Sequence, residues 1–554
     1  MAKFSAKLNV QLLAETLIQS GIENVVISPG SRNGALTMQF VNDSRFSCYS
    51  IVDERSAGFV ALGMAQKIQK PVVICCTSGS AVANYYPAVT EAFYQNIPLI
   101  VLTADRPAAF TDLFDGQTIR QENLFEKHVY GGVQLAEDES DESLTANFLK
   151  VKEAVHTAII NSGPVHINMP FSEPLYEFTL EKRIEFDQIG KPKEKMVELD
   201  LKNLQNEYSQ ATKVMVLVGQ QAPNESLNYL INQLSTFSNV IILTETTSNI
   251  YGNQVISQID AVLRNIVSQD LSYFQPDLLI TLGQNVISKK IKQFLRENRP
   301  KFHWHVDNYW QPDTYFSLTQ KIETSAEKFL REFLDNFQPT DSDYRKNWTQ
   351  INQQNHELQR EFMQELPWSD LYVFRNIIQH FPAEYVVHYS NSAVIRYSQL
   401  FRHEKQNHVY CNRGTSGIDG STSAAIGYAM KSEKPVVLVT GDISFFYDSN
   451  ALWNNEIPVN FRIVLVNNGG GNIFSIIPGP ENTNALNQFF ETKHQLTAEY
   501  LAKMFDFEYV VVDSKSGIEN IWGNFYHTSN RPKILEINTK NAPNAETLRA
   551  FIDV

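Results

Sequence analysis

Short apolar runs alternate with longer amphipathic stretches along the whole chain. In its first third the apolar runs are NVVIS (24–28), CYSIV (48–52), PVVICC (71–76), PLIVLT (98–103) and PVHINM (164–169). Continuous runs of this length are typical of parallel strands buried on both faces, and the helix-length connections between them predict crossover helices. The N-terminal residues 1–21 have apolar side chains at helical spacing and end in glycine, which predicts a packed first helix rather than a signal peptide.

The same alternation recurs twice more. Between about 200 and 335 the apolar runs are KVMVLVG, NVIILTE, DLLITLG and FHWHV, and the last part contains EYVVHYSNS, HVYCNRG, KPVVLVTGD, FRIVLVNN and PKILEIN. A charged stretch without clear periodicity, 181–200, is interpreted as a linker. Strands that alternate with helices form parallel sheets. We therefore predict an α/β protein with three doubly wound parallel-sheet domains, 1–182, 200–335 and 365–554.

The composition of the chain limits the kinds of molecule that it can bind. The chain of 554 residues carries a net charge of −14 and has no block of lysine or arginine, which argues against a nucleic-acid or anionic-membrane surface. No apolar run approaches the roughly 18 residues of a membrane span. The four cysteines lack metal-ligand spacing, and this indicates reduced thiols and a cytoplasmic protein. Any anionic ligand must be held by local cationic groups against the overall charge.

The third segment has polar clusters at two predicted strand ends. The run VVLVT is followed by Gly441 and Asp442, and the run FRIVLV is followed, after Asn467, by Asn468 and a glycine turn. Neighbouring parallel strands would bring both clusters to one edge of the sheet, where ligands bind in such folds. A carboxylate, an amide oxygen and a turn carbonyl suit Mg²⁺, and glycine lets a phosphate approach the backbone. Taken singly, each cluster is more often a simple turn.

Together the two clusters resemble the metal and diphosphate signature of thiamine diphosphate (ThDP) enzymes. The chain departs from the usual pattern at Ile443, where the wider family has glycine, and in a slightly shorter gap between the clusters. Neither departure removes a ligand. The resemblance implies that Asp442, Asn468 and the carbonyl of Gly470 hold Mg²⁺, or Mn²⁺, against the diphosphate. It also implies cofactor contacts from Ser392, Ile418, Gly441, Asp442, Ile443, Ser444, Asn468, Ile473 and Phe474.

A glutamate of the first segment is the candidate for cofactor activation. Glu54 follows the run CYSIV and opens a helix of small residues, AGFVALGMAQ. By itself this position simply suits a carboxylate at a helix N-terminus. ThDP enzymes use a desolvated glutamate with a raised pKa to hydrogen-bond N1′ of the aminopyrimidine, and burial favours the neutral carboxyl. The resemblance therefore implies that Glu54 is the catalytic residue and that Ile418 wedges between the two cofactor rings.

Cationic side chains follow several predicted strands. One arginine is usually a solvated surface charge, but several at the carboxyl ends of strands favour an anion site. These residues and their polar neighbours are Ser31, Arg32, Arg106, Gln117, Lys289, Lys290, Ser392, Arg396 and Arg413. They distinguish the chain from ThDP enzymes that act on small apolar 2-oxo acids.

The first and third segments contain the motifs SPGSRN, VDERSAGFVALG, TSGSAVANYYPAV, TADRP, GQTIRQ, NRGTSGIDGSTSAAIG, GDISFFYDSNALW and NNGGGNIFSIIP. These motifs closely resemble those of the MenD family, the 2-succinyl-5-enolpyruvyl-6-hydroxy-3-cyclohexene-1-carboxylate synthases of menaquinone biosynthesis. The resemblance runs from about residue 9 to the C-terminus and is thin in the middle segment. It implies decarboxylation of 2-oxoglutarate and conjugate addition of the succinyl carbanion equivalent to isochorismate. Both substrates are polyanions, which accounts for the cationic side chains.

The family resemblance also divides the pocket. It implies that isochorismate meets Ser31, Arg32, Arg106, Gln117, Lys289 and Lys290, that the 2-oxoglutarate carboxylate meets Ser392, Arg396 and Arg413, and that the walls are Ile473, Phe474 and Ile477. In this family the first domain binds the aminopyrimidine and the third binds the diphosphate. The cofactor lies between two subunits, which implies a homodimer or a dimer of dimers.

Two other functions stay open from the residues alone. One is a different ThDP-dependent 2-oxo acid decarboxylase or an acetolactate-type synthase, against which the cationic group argues. The other is a non-catalytic doubly wound protein whose middle segment binds a nucleotide. The stretch VLVGQQ (216–221) lacks the second and third glycines of a dinucleotide fingerprint, so this segment does not support nucleotide binding.

Overall fold

Three six-stranded sheets follow one another along the chain. The computed structural model describes residues 3–182, 184, 189–190, 199–266, 269–403, 406–475 and 479–553. In each sheet the neighbouring strands are parallel, and a buried apolar cluster covers each of its two faces. This arrangement confirms the predicted α/β fold with three doubly wound sheets. Most of the predicted linker, 181–200, lies outside the described residues.

The first sheet carries the candidate substrate residues of the N-terminal part. The strands of this N-terminal part are β1 (Phe4–Ser5), β2 (Asn24–Ile27), β3 (Ser47–Ser50), β4 (Val72–Cys76), β5 (Leu99–Asp105), β6 (Gly132–Gln134), β7 (Val165–Pro170) and β8 (Phe178–Thr179). Its helices are α1 (Leu8–Gln19), α2 (Gly34–Asn42), α3 (Glu54–Ile68), α4 (Ser80–Asn84), α5 (Tyr86–Gln95) and α6 (Asp141–Ile160). The strand order is β3-β2-β4-β5-β7-β6, while β1 and β8 form a separate antiparallel pair. Arg32 and Arg106 therefore follow strands on the same edge of this sheet.

The second sheet has the order β11-β10-β9-β12-β13-β14. These strands are β9 (Val214–Val218), β10 (Val240–Thr244), β11 (Val255–Ile256), β12 (Leu278–Leu282), β13 (Phe302–Val306) and β14 (Gln320–Ile322). The helices are α7 (Leu201–Tyr208), α8 (Glu225–Leu234), α9 (Ile259–Ile266), α10 (Lys289–Glu297), α11 (Ala326–Asn336) and α12 (Tyr344–Phe362). The polar sequence after α11 contains helix α12, whose fully buried Trp348 packs in the apolar cluster on one face of this sheet.

The third sheet has the order β16-β15-β17-β18-β20-β19. These strands are β15 (Val386–Tyr389), β16 (Val409–Cys411), β17 (Val436–Gly441), β18 (Arg462–Asn467), β19 (Glu508–Val512) and β20 (Lys533–Asn538). The helices are α13 (Asp370–His380), α14 (Ala393–Ser398), α15 (Ser421–Lys431), α16 (Asp442–Tyr447), α17 (Glu499–Met504), α18 (Lys515–Tyr526) and α19 (Asn544–Asp553). Because β17 and β18 are parallel neighbours, with Gly441 opposite Val466, the residues after both strands meet at one edge.

Helices α3 and α15 hold the first and third sheets together. A Cβ atom on Gly63 would lie 1.9 Å from the carbonyl oxygen of Ala424, and one on Gly427 would lie 1.9 Å from the carbonyl oxygen of Val60. Only glycine permits so close an approach of two helix backbones. The small-residue sequence of α3 thus serves helix packing, and it fixes the position of Glu54 at the start of that helix.

Candidate active site

Asp442 and the glycine turn after β18 are in direct contact. The buried Asp442 carboxylate accepts hydrogen bonds from the backbone N–H groups of Gly469, at 2.7 Å, and Gly470, at 3.0 Å. Its other oxygen accepts from the N–H of Ile443 at 2.7 Å. The turn needs glycine, since φ is +81° at Gly469 and +154° at Gly470. The predicted convergence of the two strand ends is therefore present in the structure.

Asn468 presents a free amide oxygen beside this carboxylate turn. Its Nδ2 donates to the Asp370 carboxylate at 2.8 Å, while its Oδ1 is buried and has no hydrogen-bond partner. Leaving a buried carbonyl oxygen unpaired costs free energy, so such an atom indicates a ligand. An aspartate, an amide oxygen and backbone carbonyls form a donor set suited to Mg²⁺. Among the described residues there is no group of three His, Cys, Asp or Glu side chains that could hold a metal instead.

Three loops of the third sheet meet next to Asp442. The Ser444 hydroxyl donates to the carbonyl of Ile418 at 2.6 Å, and the Asn391 amide donates to the carbonyl of Gly417 at 2.6 Å. Ser392, which directly precedes α14, has φ +67°, a left-handed conformation that L-residues rarely adopt. Hydrogen bonds thus connect the segments that carry the candidate cofactor residues: the turn at Ser392, the loop at Ile418 and the first turn of α16 at Ser444.

A cavity of about 220 Å³ lies between the second and third sheets. Arg396 and Lys290 line it, together with the apolar Ile473. Desolvation lowers the pKa of Arg396, and the neighbouring charge of Arg413 lowers it further. Arg413 itself donates to Asn391 at 2.9 Å, while its Nε is buried without a partner. Two guanidinium groups held close together in this way favour binding of a carboxylate.

A second cationic group lies at the carboxyl edge of the first sheet. Arg32 is 6% exposed, and its guanidinium donates to the Phe171 carbonyl at 2.9 Å and lies 3.3 Å from a Glu173 oxygen. Desolvation lowers its pKa, and Arg106 lowers it further, so the two arginines are near each other. The Nε atoms of both arginines are buried without partners. The buried Arg32, incompletely paired and close to the half-buried Arg106, again indicates an anionic ligand.

Models of three protein families match consecutive parts of the chain. They are the N-terminal TPP binding domain of thiamine pyrophosphate enzymes (9–129), their middle domain (193–388) and their C-terminal TPP binding domain (392–537). A relative from Flavobacterium psychrophilum, named 2-succinyl-5-enolpyruvyl-6-hydroxy-3-cyclohexene-1-carboxylate synthase, is 46% identical over 92% of this chain and 93% of its own. Relatives with the same name from Flavobacterium johnsoniae and Christiangramia forsetii are 42% and 43% identical, each over 97% of this chain and over 98% and 96% of their own.

The chain belongs to the MenD family of thiamine diphosphate enzymes. The family is the one that the motifs indicated, and its membership argues against both the non-catalytic binding protein and the other 2-oxo acid enzymes. The MenD fold also explains why the polar clusters lie at the carboxyl edges of the first and third sheets, because the two matched TPP binding domains supply those sheets.

Several predicted residues of this MenD chain have surroundings that sequence did not anticipate. Glu54 opens α3 and is half-buried within the single chain, so the desolvated carboxyl that the cofactor role implies stays a prediction. Lys289 and Lys290 are exposed at the start of α10, and Gln117 and Ser31 are exposed as well. Ile477 lies outside the described residues. The ring of Phe474 packs against that of Phe490 in a tilted arrangement, with 5.6 Å between the ring centroids.

Four further polar residues lie beside these candidate sites, and the sequence motifs do not single them out. Lys292 follows the predicted Lys289 and Lys290 in the first turn of α10. Burial lowers the pKa of Lys292, and the positive charges of Arg413 and Arg396 lower it further, whereas the charge of Glu245 raises it. His494 Nε2 is 3.4 Å from the Asp442 carboxylate. Asp370 and Glu245 are buried carboxylates at the two sites. Lys292, His494 and Asp370 are revealed only by their contacts across the fold, whereas Glu245 directly follows strand β10 at the end of the run NVIILTE.

Glu245 anchors the loop in front of α10. Its carboxylate accepts from the N–H of Ile287 at 2.6 Å and of Ser288 at 2.7 Å, and it borders the cavity that Arg396 lines. Burial raises its pKa to about 7, against an ordinary 4.5, although the two N–H groups lower it. The folded state thus binds the proton more tightly than the unfolded chain does. The stability from this group is complete below about pH 4.5 and is lost as the pH rises through about 7.

We expect Glu245→Gln to remove this pH dependence. Between pH 4.5 and 8 the difference in unfolding free energy between wild type and variant should change by about 3 kcal/mol, because each unit of pKa shift corresponds to about 1.4 kcal/mol. Urea unfolding at a series of pH values measures the difference. Glu23→Gln, at an exposed position before β2, is the matched control. A pH-independent difference for Glu245→Gln would contradict the expectation.

Proposed function

We propose that the protein is a ThDP-dependent synthase that decarboxylates 2-oxoglutarate and adds the remaining four-carbon unit to isochorismate, giving 2-succinyl-5-enolpyruvyl-6-hydroxy-3-cyclohexene-1-carboxylate in menaquinone biosynthesis. The observation that carries the substrate assignment is the pair of cationic groups. Arg396 lines a cavity beside the candidate cofactor loops, and Arg32 is buried beside Arg106. A pocket for a small apolar 2-oxo acid would leave the buried Nε atoms of Arg32 and Arg106 without partners and the grouped positive charges uncompensated, at a cost in free energy.

The third sheet supplies the proposed metal and diphosphate site. Asp442, the Oδ1 of Asn468 and the carbonyl of Gly470 would hold Mg²⁺, or Mn²⁺, against the diphosphate, and the unpartnered Oδ1 supports this assignment. When bound, ThDP supplies a nucleophilic carbon and accepts the electron pair that decarboxylation leaves behind. Ser392, Ile418, Gly441, Ile443, Ser444, Ile473 and Phe474 are the proposed cofactor contacts.

Glu54 is the proposed catalytic residue. Its carboxyl would hold a proton at N1′ of the aminopyrimidine, which requires the carboxyl to be neutral when the cofactor is bound. A ligand ring placed against the half-exposed side chain would exclude water from it and so favour that neutral form. Ile418, fixed through its carbonyl to Ser444, would support the bent cofactor from the third domain.

The two cationic groups are proposed to serve different substrates. Ser392, Arg396 and Arg413 adjoin the cofactor loops and would bind the distal carboxylate of 2-oxoglutarate. Isochorismate would meet Ser31, Arg32, Arg106 and Gln117 at the first sheet, and Lys289 and Lys290 from the start of α10, where Lys290 also borders the cavity that Arg396 lines. Ile473, Phe474 and Ile477 are the proposed apolar walls. Both substrates are dianions, and two separate cationic groups accommodate two dianions better than a single shared carboxylate-binding site would.

A second copy of the chain is proposed to complete the site, as a homodimer or a dimer of dimers. The loop between Arg106 and Gln117 exposes Phe110 by 44%, Leu113 by 65% and Phe114 by 106%. Clustered exposed aromatic and aliphatic side chains are typical of an interface. A copy seated there would cover the loop beside Arg106.

We propose a cytoplasmic location for the protein, and the four free cysteines are in keeping with it. None of the helices in the described ranges is long and apolar enough to cross a membrane.

The division of substrates predicts a selective defect in Arg32→Ala. Loss of charge-assisted hydrogen bonds to isochorismate should slow its consumption about 100-fold, because each such bond contributes about 1.5–3 kcal/mol. Release of CO₂ from 2-oxoglutarate in a single turnover without isochorismate should change less than about threefold, because Arg32 belongs to the other cationic group. Rapid-quench measurement of CO₂, followed by addition of isochorismate, separates the two steps.

Arg45→Ala is the control for this experiment. Arg45 precedes β3, at the amino edge of the same sheet, and its ion pairs are with Glu15 and Asp43. It should leave both steps unchanged. If Arg32→Ala slows CO₂ release as severely as isochorismate consumption, Arg32 serves 2-oxoglutarate or the cofactor, and the division is wrong. If wild-type protein releases CO₂ from pyruvate as fast as from 2-oxoglutarate, the proposed substrate is wrong.

A further inference from the structure

A buried carboxylate lies directly behind the proposed metal site. Asp370 is the first residue of α13 and is 1% exposed. One of its oxygens accepts from the Asn468 Nδ2 at 2.8 Å, and the other accepts from the Thr539 hydroxyl at 2.6 Å. The Asn472 side chain is a further donor to it. Asp370 therefore has one oxygen that faces Asn468 and another that is held on the opposite side.

The carboxylate determines which end of the Asn468 amide faces the metal site. An ionised carboxylate only accepts hydrogen bonds, so the amide nitrogen must point toward Asp370. The amide oxygen then points the other way, where it is buried and unpartnered. With the amide rotated by half a turn, two oxygens would face each other at Asp370 and an NH₂ group would face the cation. Asp370 thus selects the rotamer in which Asn468 can act as an oxygen ligand.

The C-terminal part of the chain holds Asp370 itself in place. The Asp370 backbone N–H donates to the Asn544 side chain at 2.7 Å, and the Asn544 Nδ2 donates to the Thr539 carbonyl at 3.0 Å. Thr539 follows β20, the strand next to β18. These bonds connect α13, β20 and α19 to the residue after β18, so Asp370 is a rigid support rather than a mobile surface acid.

We propose that Asp370 is a positioning residue for the divalent cation, which orients Asn468 without contacting the metal. The inference rests on the proposed Mg²⁺ site. It is separate from the roles of Asp442 and Asn468, because Asp370 contacts the cation only through the Asn468 amide. Hydrogen bonds behind a metal ligand fix its orientation, and their loss typically weakens metal binding by about 10–100-fold.

Asp370→Asn tests the orientation directly. Thr539 would hold the new amide oxygen, which leaves the new NH₂ group facing Asn468, so that Asn468 must rotate and turn its own NH₂ group toward the cation. We expect ThDP-dependent affinity for Mn²⁺ to fall about 10–100-fold. Titration with Mn²⁺, with the free ion followed by its electron paramagnetic resonance signal, measures this without any turnover.

Asp448→Asn is the matched control, and a swapped pair is the rescue. Asp448 is a fully buried carboxylate of the same domain that accepts from the N–H and the hydroxyl of Ser423. It should keep wild-type Mn²⁺ affinity. The double variant Asp370→Asn, Asn468→Asp restores a donor facing an acceptor and again presents an oxygen to the cation. The double variant should bind Mn²⁺ at least tenfold more tightly than Asp370→Asn does. A merely structural role of Asp370 would not produce this recovery.

The outcomes separate this inference from the function it rests on. If the wild-type protein with ThDP takes up no Mn²⁺, the proposed metal site itself is wrong. If wild-type protein binds Mn²⁺ and Asp370→Asn binds it equally well, Asp370 does not orient the ligand. Should Asp370→Asn fail to fold, the swapped pair decides, and its failure to fold or to recover affinity overturns the proposal.

Discussion

Asp442→Ala is expected to abolish the joint binding of Mg²⁺ and ThDP. Asp442 is 2% exposed and is the one carboxylate in the proposed ligand set. Its removal leaves the cation with neutral ligands and the diphosphate charge without full compensation. Removing one partner of a buried charge pair costs about 3–5 kcal/mol, so the affinity for ThDP in the presence of Mg²⁺ should fall about 1000-fold. Isothermal titration calorimetry measures this affinity.

Two comparisons make the result of the Asp442 experiment specific. Asp442→Asn keeps the size of the side chain and an acceptor for the Gly469 and Gly470 N–H groups. It should lose much of the metal affinity while the turn keeps its shape. Thermal unfolding without cofactor shows whether Asp442→Ala still folds. If a folded Asp442→Ala protein binds ThDP and Mg²⁺ with wild-type affinity, Asp442 is not part of the metal and diphosphate site.

Glu54→Gln is expected to slow proton loss from the reactive carbon of bound ThDP by about a thousandfold. An amide cannot exchange a proton at N1′ as a carboxyl does, and general acid–base groups contribute about 10²–10⁴-fold. Hydrogen–deuterium exchange at that carbon, measured by quenched-flow NMR without 2-oxo acid, gives the rate. Binding of ThDP should change little, because Asp442 and Asn468 hold the diphosphate.

The exposed Glu23→Gln is the control for Glu54→Gln in the same domain. It should exchange at the wild-type rate. Equal exchange rates for Glu54→Gln and wild type would exclude Glu54 as the activating carboxyl. A loss of ThDP binding in Glu54→Gln would instead indicate a structural role at the start of α3.

The strand ends of this protein were predictable because their signals are local. Runs such as VVICC are buried on both faces, as parallel strands are, and each predicted run of the first third corresponds to a strand. The contact of Asp442 with Gly469 and Gly470 followed from the rule that neighbouring parallel strands end at one edge of the sheet. The location of Arg32 at the carboxyl edge of the first sheet was predictable because the residue follows strand β2.

The supporting residues depend on contacts between distant parts of the chain. Asp370 accepts hydrogen bonds from Asn468, 98 residues away in the sequence, and from Thr539, 169 residues away. No local spacing in the sequence predicts either contact. Glu245 caps a loop more than forty positions away, at Ser288. The exposure of Glu54 also depends on which surface covers the start of α3, and its local sequence carries no such information. Tertiary packing, rather than motif spacing, decides these features.

Incubation of purified protein with ThDP, Mg²⁺, isochorismate and either 2-oxoglutarate or pyruvate tests the proposed reaction most directly. The proposal predicts one CO₂ released for each 2-succinyl-5-enolpyruvyl-6-hydroxy-3-cyclohexene-1-carboxylate formed from 2-oxoglutarate, with the product identified by mass spectrometry. It predicts that pyruvate reacts at least about 100-fold more slowly, because pyruvate lacks the second carboxylate that Arg396 and Arg413 would bind. Release of CO₂ without this product, or equal use of pyruvate, would contradict the proposal.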